Sequence, residues 1–266
     1  MTLSVKTICP AQDLNKLSQA QVTVMPAYSQ FHASRAVAQR GQFFGMTGKW
    51  MEQDALYASV SKRLEGKEVK IGLPCCGIDG LGQALIDGDI VPHVAWAMDI
   101  DQSLYDILSQ RYSPTALKAW RLGKYGGDVS KVDYCTLPDV DFIAMGPPCQ
   151  GFSSAGKMAG KKDPRSHVFY VCLEYIEHFM KRPNFLGFLC ENSPNIAANV
   201  GGEESFISDV MQQFEDHQNW QINVYMVQGN VNCGYPQLRK RCIVTGVKKQ
   251  TLELVLSFIM CASSCF

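Results

Sequence analysis

The stretch VKIGLPCCGIDG at residues 69–80 passes from a short apolar run into a turn that contains two glycines. Four more apolar runs follow along the chain, and amphipathic stretches separate them. Strands that are buried on both faces and alternate with helices form a parallel sheet covered by helices. The pattern therefore predicts an α/β fold with a mostly parallel sheet. The predicted strands are 69–73, 93–98, 140–145, 185–190 and 221–226, and the predicted helices are 103–112, 169–180 and 204–214.

The composition indicates a globular chain, because 46% of its 266 residues are hydrophobic and can form a full core. The 25 basic and 25 acidic side chains cancel, which excludes a polycationic nucleic-acid wrapper but leaves room for a locally basic groove. The eleven cysteines are scattered without a Cys-x-x-Cys pair, so we expect no metal site and no disulfide framework. No signal-peptide core and no stretch long enough to span a bilayer are apparent, and we expect an intracellular protein with no membrane segment.

Three regions of the chain differ in character. Residues 1–68 are polar and rich in alanine, and the periodicity of residues 49–64 predicts a helix within this N-terminal extension. Residues 69–250 carry the alternating strands and helices and form the main domain. Residues 251–266 are predicted to be a short C-terminal tail.

A ligand site is predicted where the first strand turns into the first helix. Gly77 and Gly80 let a ligand approach the backbone and the helix N-terminus. Asp99 ends the next predicted strand, at the place where a carboxylate holds a ribose hydroxyl in nucleotide-binding folds. Asp128 follows Gly126 and Gly127 and is interpreted as a third acid at a strand end. Together these acids favour an adenosine-containing ligand over a purely structural turn, and no phosphate-loop motif is present.

A second set of reactive side chains follows the later strands. Cys149 lies just past a strand end in a loop stiffened by prolines, where a thiolate can meet a substrate. An isolated cysteine is more often a core thiol, but this position favours a nucleophile. Glu191 ends the next strand and so reaches the same edge of the sheet. Residues 237–241 place arginines on one face of an extended segment, which is also compatible with a solvated strand edge.

These motifs, taken in order, resemble those of the cytosine C5 DNA methyltransferases. That family has a glycine-rich first turn, a Pro-Cys-Gln loop, a Glu-Asn-Val strand end and a Gln-x-Arg-x-Arg strand. This chain has Gly77 to Gly80, Pro148-Cys149-Gln150, Glu191-Asn192-Ser193 and 237–241, over residues 69–247. The resemblance implies that 69–250 is a Rossmann-like, S-adenosylmethionine-dependent methyltransferase domain and that DNA is its substrate.

The resemblance also implies a role for each motif residue. Cys149 would attack C6 of a flipped cytosine, Glu191 would bind N3 and the exocyclic amine, and Arg241 would hold O2. Asp99 would hold the ribose of S-adenosylmethionine, and Asp128 would lie near its adenine. The loop 151–162 would close over the base. The expected catalytic residues are Cys149, Glu191, Arg239 and Arg241; the expected donor-binding residues are Gly77, Asp79, Gly80, Asp99, Ile100, Asp128, Val129 and Pro148; the expected substrate-binding residues are Gln150, Ser153 and Gln237.

The chain also departs from the family pattern. Cys75 and Asp79 stand where the family has Phe and Gly, and Ser193 replaces Val. No target-recognition region is expected after residue 247, so a permuted final helix within 44–64, a partner chain or truncation are alternatives. Two other functions stay open. RNA is a possible substrate, since the same motifs occur in a branch of the family that methylates cytosine in tRNA, and the altered first motif is also compatible with a non-catalytic regulatory subunit. The expected compartment is the nucleus in a eukaryote and otherwise the cytoplasm.

Overall fold

The computed structural model describes residues 4–7, 21–22, 68–80, 82, 92–118, 127–152, 159–199, 204–228 and 239–249. Within these residues the chain forms one eight-stranded sheet with the strand order β2-β1-β7-β8-β6-β5-β3-β4. The strands are β1 Ser4–Thr7, β2 Gln21–Val22, β3 Val69–Pro74, β4 Pro92–Met98, β5 Phe142–Met145, β6 Gly187–Asn192, β7 Trp220–Gln228 and β8 Lys240–Lys248.

The sheet is parallel except for β8, which runs antiparallel to both β6 and β7. This confirms the prediction of an α/β fold with a mostly parallel sheet. Each of the five predicted apolar runs forms a strand, because its side chains are buried on both faces: β5, for example, is buried at all four positions.

Three α-helices of seven or more residues cover the described sheet: α1 Gln102–Leu108, α2 His167–Met180 and α3 Phe206–Gln213. The core divides into two clusters of buried side chains. Helices α2 and α3 contribute to the larger cluster, whereas Tyr105 and Leu108 of α1 belong to the smaller one. None of the helices in the described ranges is long and apolar enough to cross a membrane.

Parts of the predicted organisation fall elsewhere. In the first 68 residues the structure describes two short strands, with β1 paired in parallel to β2 and to β7. The predicted helix at 49–64 and the predicted tail at 251–266 lie outside the described residues. The proposed domain boundaries therefore stay predictions.

The sheet brings the chemically interesting segments to one edge. Strands β3, β4, β5 and β6 are parallel, so the residues after Pro74, Met98, Met145 and Asn192 all emerge at their carboxyl ends. Strand β8 runs the other way and begins at this edge, since Asn192 pairs with Cys242. In open parallel sheets this is the edge where ligands bind.

Candidate active site

The loop that carries Cys149 is held at both of its ends, by the last residue of β6 and by a residue shortly after that strand. The Asn192 side-chain amide donates a hydrogen bond to the carbonyl of Pro147 at 3.1 Å. The Asn195 amide donates to the carbonyl of Phe152 at 2.7 Å. Between these points the Phe152 N–H donates to the Cys149 carbonyl at 2.9 Å, which closes a tight turn around the thiol. The sequence therefore folds Cys149 into a braced turn at the sheet edge.

The far side of this turn is equally constrained. The Gly160 N–H donates to the Gly151 carbonyl at 2.9 Å. A Cβ at Gly151 would lie 2.4 Å from Oγ of Ser166 and 2.9 Å from Cβ of Asp163, so only glycine fits. Gln150 is exposed beside Cys149, and Ser153 lies outside the described residues.

Glu191 and Arg241 form an ion pair on neighbouring strands. The guanidinium Nε of Arg241 donates to Oε1 of Glu191, and both side chains are less than a fifth exposed. Arg241 also donates through an Nη atom to the carbonyl of Lys240 at 2.8 Å. A Cβ at Gly146 would lie 3.6 Å from Oε2 of Glu191, so the carboxylate faces the start of the Cys149 loop. The structure thus places the predicted nucleophile loop, acid and arginine at one site.

Burial dominates the electrostatics of this acid. It raises the pKa of Glu191 to about 7, and the positive charge of Arg239 opposes that rise. Arg239 itself is exposed just before β8. A carboxyl group with a pKa near neutrality exchanges protons readily at the pH of most cells. Gln237, the other predicted residue of this segment, lies outside the described residues.

The glycine turn after β3 docks onto the end of β4. The Cys76 N–H donates to the Met98 carbonyl at 3.2 Å. The Gly77 N–H donates to Oδ2 of Asp99 at 2.9 Å, and Oδ1 of Asp99 accepts from the Asp101 N–H at 3.0 Å. Asp99 therefore fixes the turn while both of its oxygens keep further acceptor capacity.

The outer side of the turn has the open backbone that a bound ligand needs. Gly77 has a φ of +55°. A Cβ built at Gly77 or at Gly80 would meet no atom of the described residues within 4 Å. A ligand can thus approach this backbone closely, next to the carboxylate of Asp99. The residues are compatible with an adenosine-containing ligand.

Asp79 lies on the opposite, inner side of the same turn. Its residue is only 1% exposed. Its Oδ1 accepts a hydrogen bond from the Gly82 N–H at 2.7 Å. The side chain predicted to bind the donor is therefore turned away from the open backbone of Gly77.

The remaining predicted donor residues occupy varied positions. Asp128 caps the short 3-10 helix Val129–Lys131 by accepting from the N–H and the hydroxyl of Ser130, and it pairs with Lys131 at 2.9 Å. Val129 is buried, and its carbonyl accepts from the Tyr175 hydroxyl at 2.9 Å. Ile100 is 72% exposed. Pro148 is partly buried in the loop that carries Cys149.

Two site residues were missed at the sequence level. Asn192 is fully buried and Asn195 is partly buried, and together they hold the ends of the nucleophile loop. The signal for Asn192 was its position directly after Glu191, since a buried amide at a strand end must find partners.

The described cysteines are free thiols: Cys75, Cys76, Cys135, Cys149, Cys172, Cys190 and Cys242. Cys75 and Cys172 bring their sulfur atoms to 3.9 Å without a bond. Burial raises the pKa of the Cys190 thiol and of the Cys242 thiol, which keeps both protonated. Among the described residues, no three metal-binding side chains cluster.

The fold described above has solved representatives. The chain superimposes on the crystal structure of the S. pombe Dnmt2 methyltransferase with a TM-score of 0.52 at 19% identity, covering 69% of this chain and 50% of that one. This similarity supports the Rossmann-like methyltransferase fold.

The family assignment is more specific. Residues 74–260, more than half of the chain, match the family model of the C-5 cytosine-specific DNA methylases. This chain belongs to that family. It is 26% identical over 163 residues to the type II methyltransferase M1.ScrFI of Lactococcus lactis subsp. cremoris, with 60% of this chain and 40% of the relative covered. It is 36% identical over 123 residues to M.MthTI of Methanothermobacter thermautotrophicus, with 46% of this chain and 34% of the relative covered. The matched region thus spans well under half the length of these relatives.

Proposed function

We propose that this chain methylates C5 of cytosine in DNA, with S-adenosylmethionine as donor and Cys149 as the covalent nucleophile. The family assignment of residues 74–260 supports the reaction class. One observation carries the proposal: the Cys149 loop begins beside the Glu191–Arg241 ion pair. Both lie at the edge of the sheet where the open glycine turn is found.

The donor supplies a methyl group carried on a sulfonium centre. The open backbone at Gly77 and Gly80 would receive it, and Asp99 would accept hydrogen bonds from its ribose. Asp128 lies at the end of a neighbouring segment and would approach the adenine. Carboxylates on this side of the turn also favour a cationic ligand over a neutral one.

The chemistry of cytosine explains the need for Cys149. C5 of the ring is a poor nucleophile until a thiolate adds to C6 and converts C5 into an enamine carbon. After the methyl group is added, loss of the C5 proton expels Cys149 and restores the ring. The bonds from Asn192 and Asn195 hold the loop in place, so the thiol needs little reorganisation to attack.

Glu191 and Arg241 would stabilise the charge that this attack creates. Addition at C6 places negative charge on N3 and O2 of the ring. Because burial raises the pKa of Glu191 to about 7, this residue can present a proton to N3 at neutral pH. Arg241 would then exchange part of its contact with Glu191 for O2 of the base.

The reacting atoms are inaccessible in a stacked duplex, so the cytosine must be flipped out. Recognition of the target sequence would come from outside residues 69–250, and a second chain that supplies it is part of the proposal. A cytosine in a mismatched pair is cheaper to extrude, and it offers a substrate that depends less on such recognition.

The test is transfer of labelled methyl groups to duplex DNA and, separately, to tRNA. Cys149→Ser should abolish transfer, whereas the matched control Cys135→Ser alters an exposed thiol outside the site and should leave it intact. A duplex with a mismatched 5-fluorocytosine should form a stable adduct that depends on Cys149. Label on tRNA alone would replace the DNA proposal, and donor binding without any adduct would support a non-catalytic subunit.

A further inference from the structure

A buried carboxylate lies inside the glycine turn, and the proposed reaction has no use for it. Asp79 adopts a φ of +60°, and Cys75 is the one other non-glycine residue in the described ranges with a positive φ. The Asp79 N–H donates to the Cys76 carbonyl at 2.9 Å, which closes the turn around Gly77. Its side chain accepts from the Gly82 N–H at 2.7 Å, three residues further along the chain. Asp79 therefore joins the turn to Gly82.

The space for this carboxylate depends on a second residue. A Cβ at Gly82 would lie 2.2 Å from Oδ2 and 2.7 Å from Oδ1 of Asp79. No side chain other than that of glycine fits at position 82 while Asp79 keeps this conformation. Asp79 and Gly82 thus form a matched pair.

The charges around Asp79 are sparse. An Nη atom of Arg111, in the segment after α1, lies 4.0 Å from Oδ2. Within the described part of the chain, Oδ2 has no hydrogen-bond partner. Among the described residues, Cys75, Cys76 and Asp99 are the other titratable groups near the turn. Burial raises the pKa of Asp79 to about 6, and the Gly82 N–H and Arg111 oppose that rise.

We propose that Asp79 is a positioning residue for the donor: its carboxylate form braces the turn that holds Gly77 against Asp99, and loss of that charge weakens donor binding. The inference rests on the proposed donor, S-adenosylmethionine. It assigns Asp79 a role beneath the turn in place of a direct contact with the donor.

Two physical effects act in the same direction. Among conformations in which Asp79 stays buried, a charged carboxylate accepts the Gly82 N–H more strongly than a neutral carboxyl group does, so ionised Asp79 holds Gly82 more firmly. Unfolding, which exposes Asp79 to water, has the opposite pH dependence. Through the turn, this bond supports the Gly77 N–H that donates to Asp99 at 2.9 Å. The buried negative charge also attracts the cationic donor through the low-dielectric turn. Protonation of Asp79 removes both effects.

The first experiment measures the affinity for labelled S-adenosylmethionine at about pH 7.5 and about pH 5.5 by equilibrium dialysis. If the ionised form alone binds well, the wild-type protein should lose about fourfold in affinity between these values. Asp79→Asn keeps an oxygen that accepts from Gly82 but does not titrate, so its affinity should change markedly less. Equal pH dependence in both proteins would overturn the inference.

The second experiment tests the matched pair. Gly82→Ala should weaken donor binding in the wild-type background, because the new methyl group displaces the Asp79 carboxylate. The double variant Asp79→Gly/Gly82→Ala removes the collision and should recover part of the loss. An equal effect of Gly82→Ala in both backgrounds would contradict the brace.

A third readout separates this inference from the proposed function. Hydrogen exchange at the Gly77 and Gly82 amides, corrected for the intrinsic rate and measured without denaturant so that local opening with Asp79 still buried dominates, should show less protection at about pH 5.5 in the wild type and little change in Asp79→Asn. Donor binding with unchanged protection would overturn the inference alone. Absence of donor binding at both pH values, with the expected protection change, would overturn the proposed donor and the role assigned to Asp79 toward it.

Discussion

Arg241 on β8 donates through Nε to Oε1 of Glu191 on β6, across a pair of antiparallel strands that brings both side chains to the edge where Cys149 lies. The two side chains are 17% and 16% exposed, so the pair is largely removed from water. A buried ion pair of this kind links two strands. The protonation of its acid, Glu191, also depends on the position of the Arg241 guanidinium. That dependence makes the pair the centre of the proposed chemistry.

Arg241→Met should therefore alter both stability and pH dependence. It leaves Glu191 buried without its partner, which costs about 3 kcal/mol of unfolding free energy at neutral pH. The pKa of Glu191 should rise further above its ordinary value, because a stabilising positive charge is lost. Because the protonated form of Glu191 is the one that serves N3, the expected result is a shift of the alkaline limb of the methyl-transfer profile to higher pH together with a large loss of rate.

The double variant Arg241→Met/Glu191→Gln is the control for stability. It removes both charges, so urea unfolding should show recovery of most of the lost free energy while activity stays absent. Lack of recovery would mean that Arg241 stabilises the fold through contacts other than Glu191.

Asn195→Ala should loosen the loop that carries Cys149. It leaves the Phe152 carbonyl without the bond of 2.7 Å and costs about 1–2 kcal/mol of stability. We expect methyl transfer to fall by about 10- to 100-fold, because a small displacement of a nucleophile strongly slows attack. Asn219→Ala, an exposed asparagine before β7, is the matched control and should leave the rate unchanged. A normal rate in Asn195→Ala would show that the loop is held by other bonds.

The strand pattern could be predicted because burial on both faces leaves a clear mark in the sequence. The runs ending at Met98, Met145 and Cys190 form strands that end within two residues of those positions. Since parallel strands end at the same edge, the convergence of Cys149 and Glu191 followed from the strand assignment alone.

Side-chain direction in the turns could not be predicted in the same way. Asp79 was expected to face a ligand, but the positive φ of its backbone turns it inward, where it meets the Gly82 N–H. The bond from Asn195 to Phe152 joins residues 43 positions apart, and no local pattern encodes such a contact. The pairing of β1 with β7 likewise joins distant segments, so periodicity within either segment does not reveal it.

Gly151→Ala should be more damaging than an ordinary loop substitution. The new Cβ would lie 2.4 Å from Oγ of Ser166 and 2.9 Å from Cβ of Asp163, so the chain must shift next to Cys149. We expect about 2 kcal/mol of destabilisation, measured by thermal unfolding, and a strong loss of 5-fluorocytosine adduct. Gly151→Ala/Ser166→Ala removes the closest atom and should recover part of both losses. A Gly151→Ala protein with normal stability and normal adduct yield would contradict the tight packing seen here.

We also expect Asp79 to make the free energy of unfolding depend on pH. Burial raises the pKa of this acid in the folded protein to about 6, above the ordinary value of 3.8. Between these two values the folded state binds more protons than the unfolded state, so the contribution of Asp79 to stability falls as the pH rises from about 4 to about 6 and then stays constant. The buried charge thus costs up to about 3 kcal/mol at neutral pH.

Asp79→Asn removes this cost, so urea unfolding should show a more stable protein than the wild type at about pH 7.5, with the difference shrinking toward about pH 5. An unchanged difference across this range would show that Asp79 does not titrate in the fold. A gain in stability that accompanies weaker donor binding at neutral pH would be the expected mark of a charge that is kept for function at the expense of the fold.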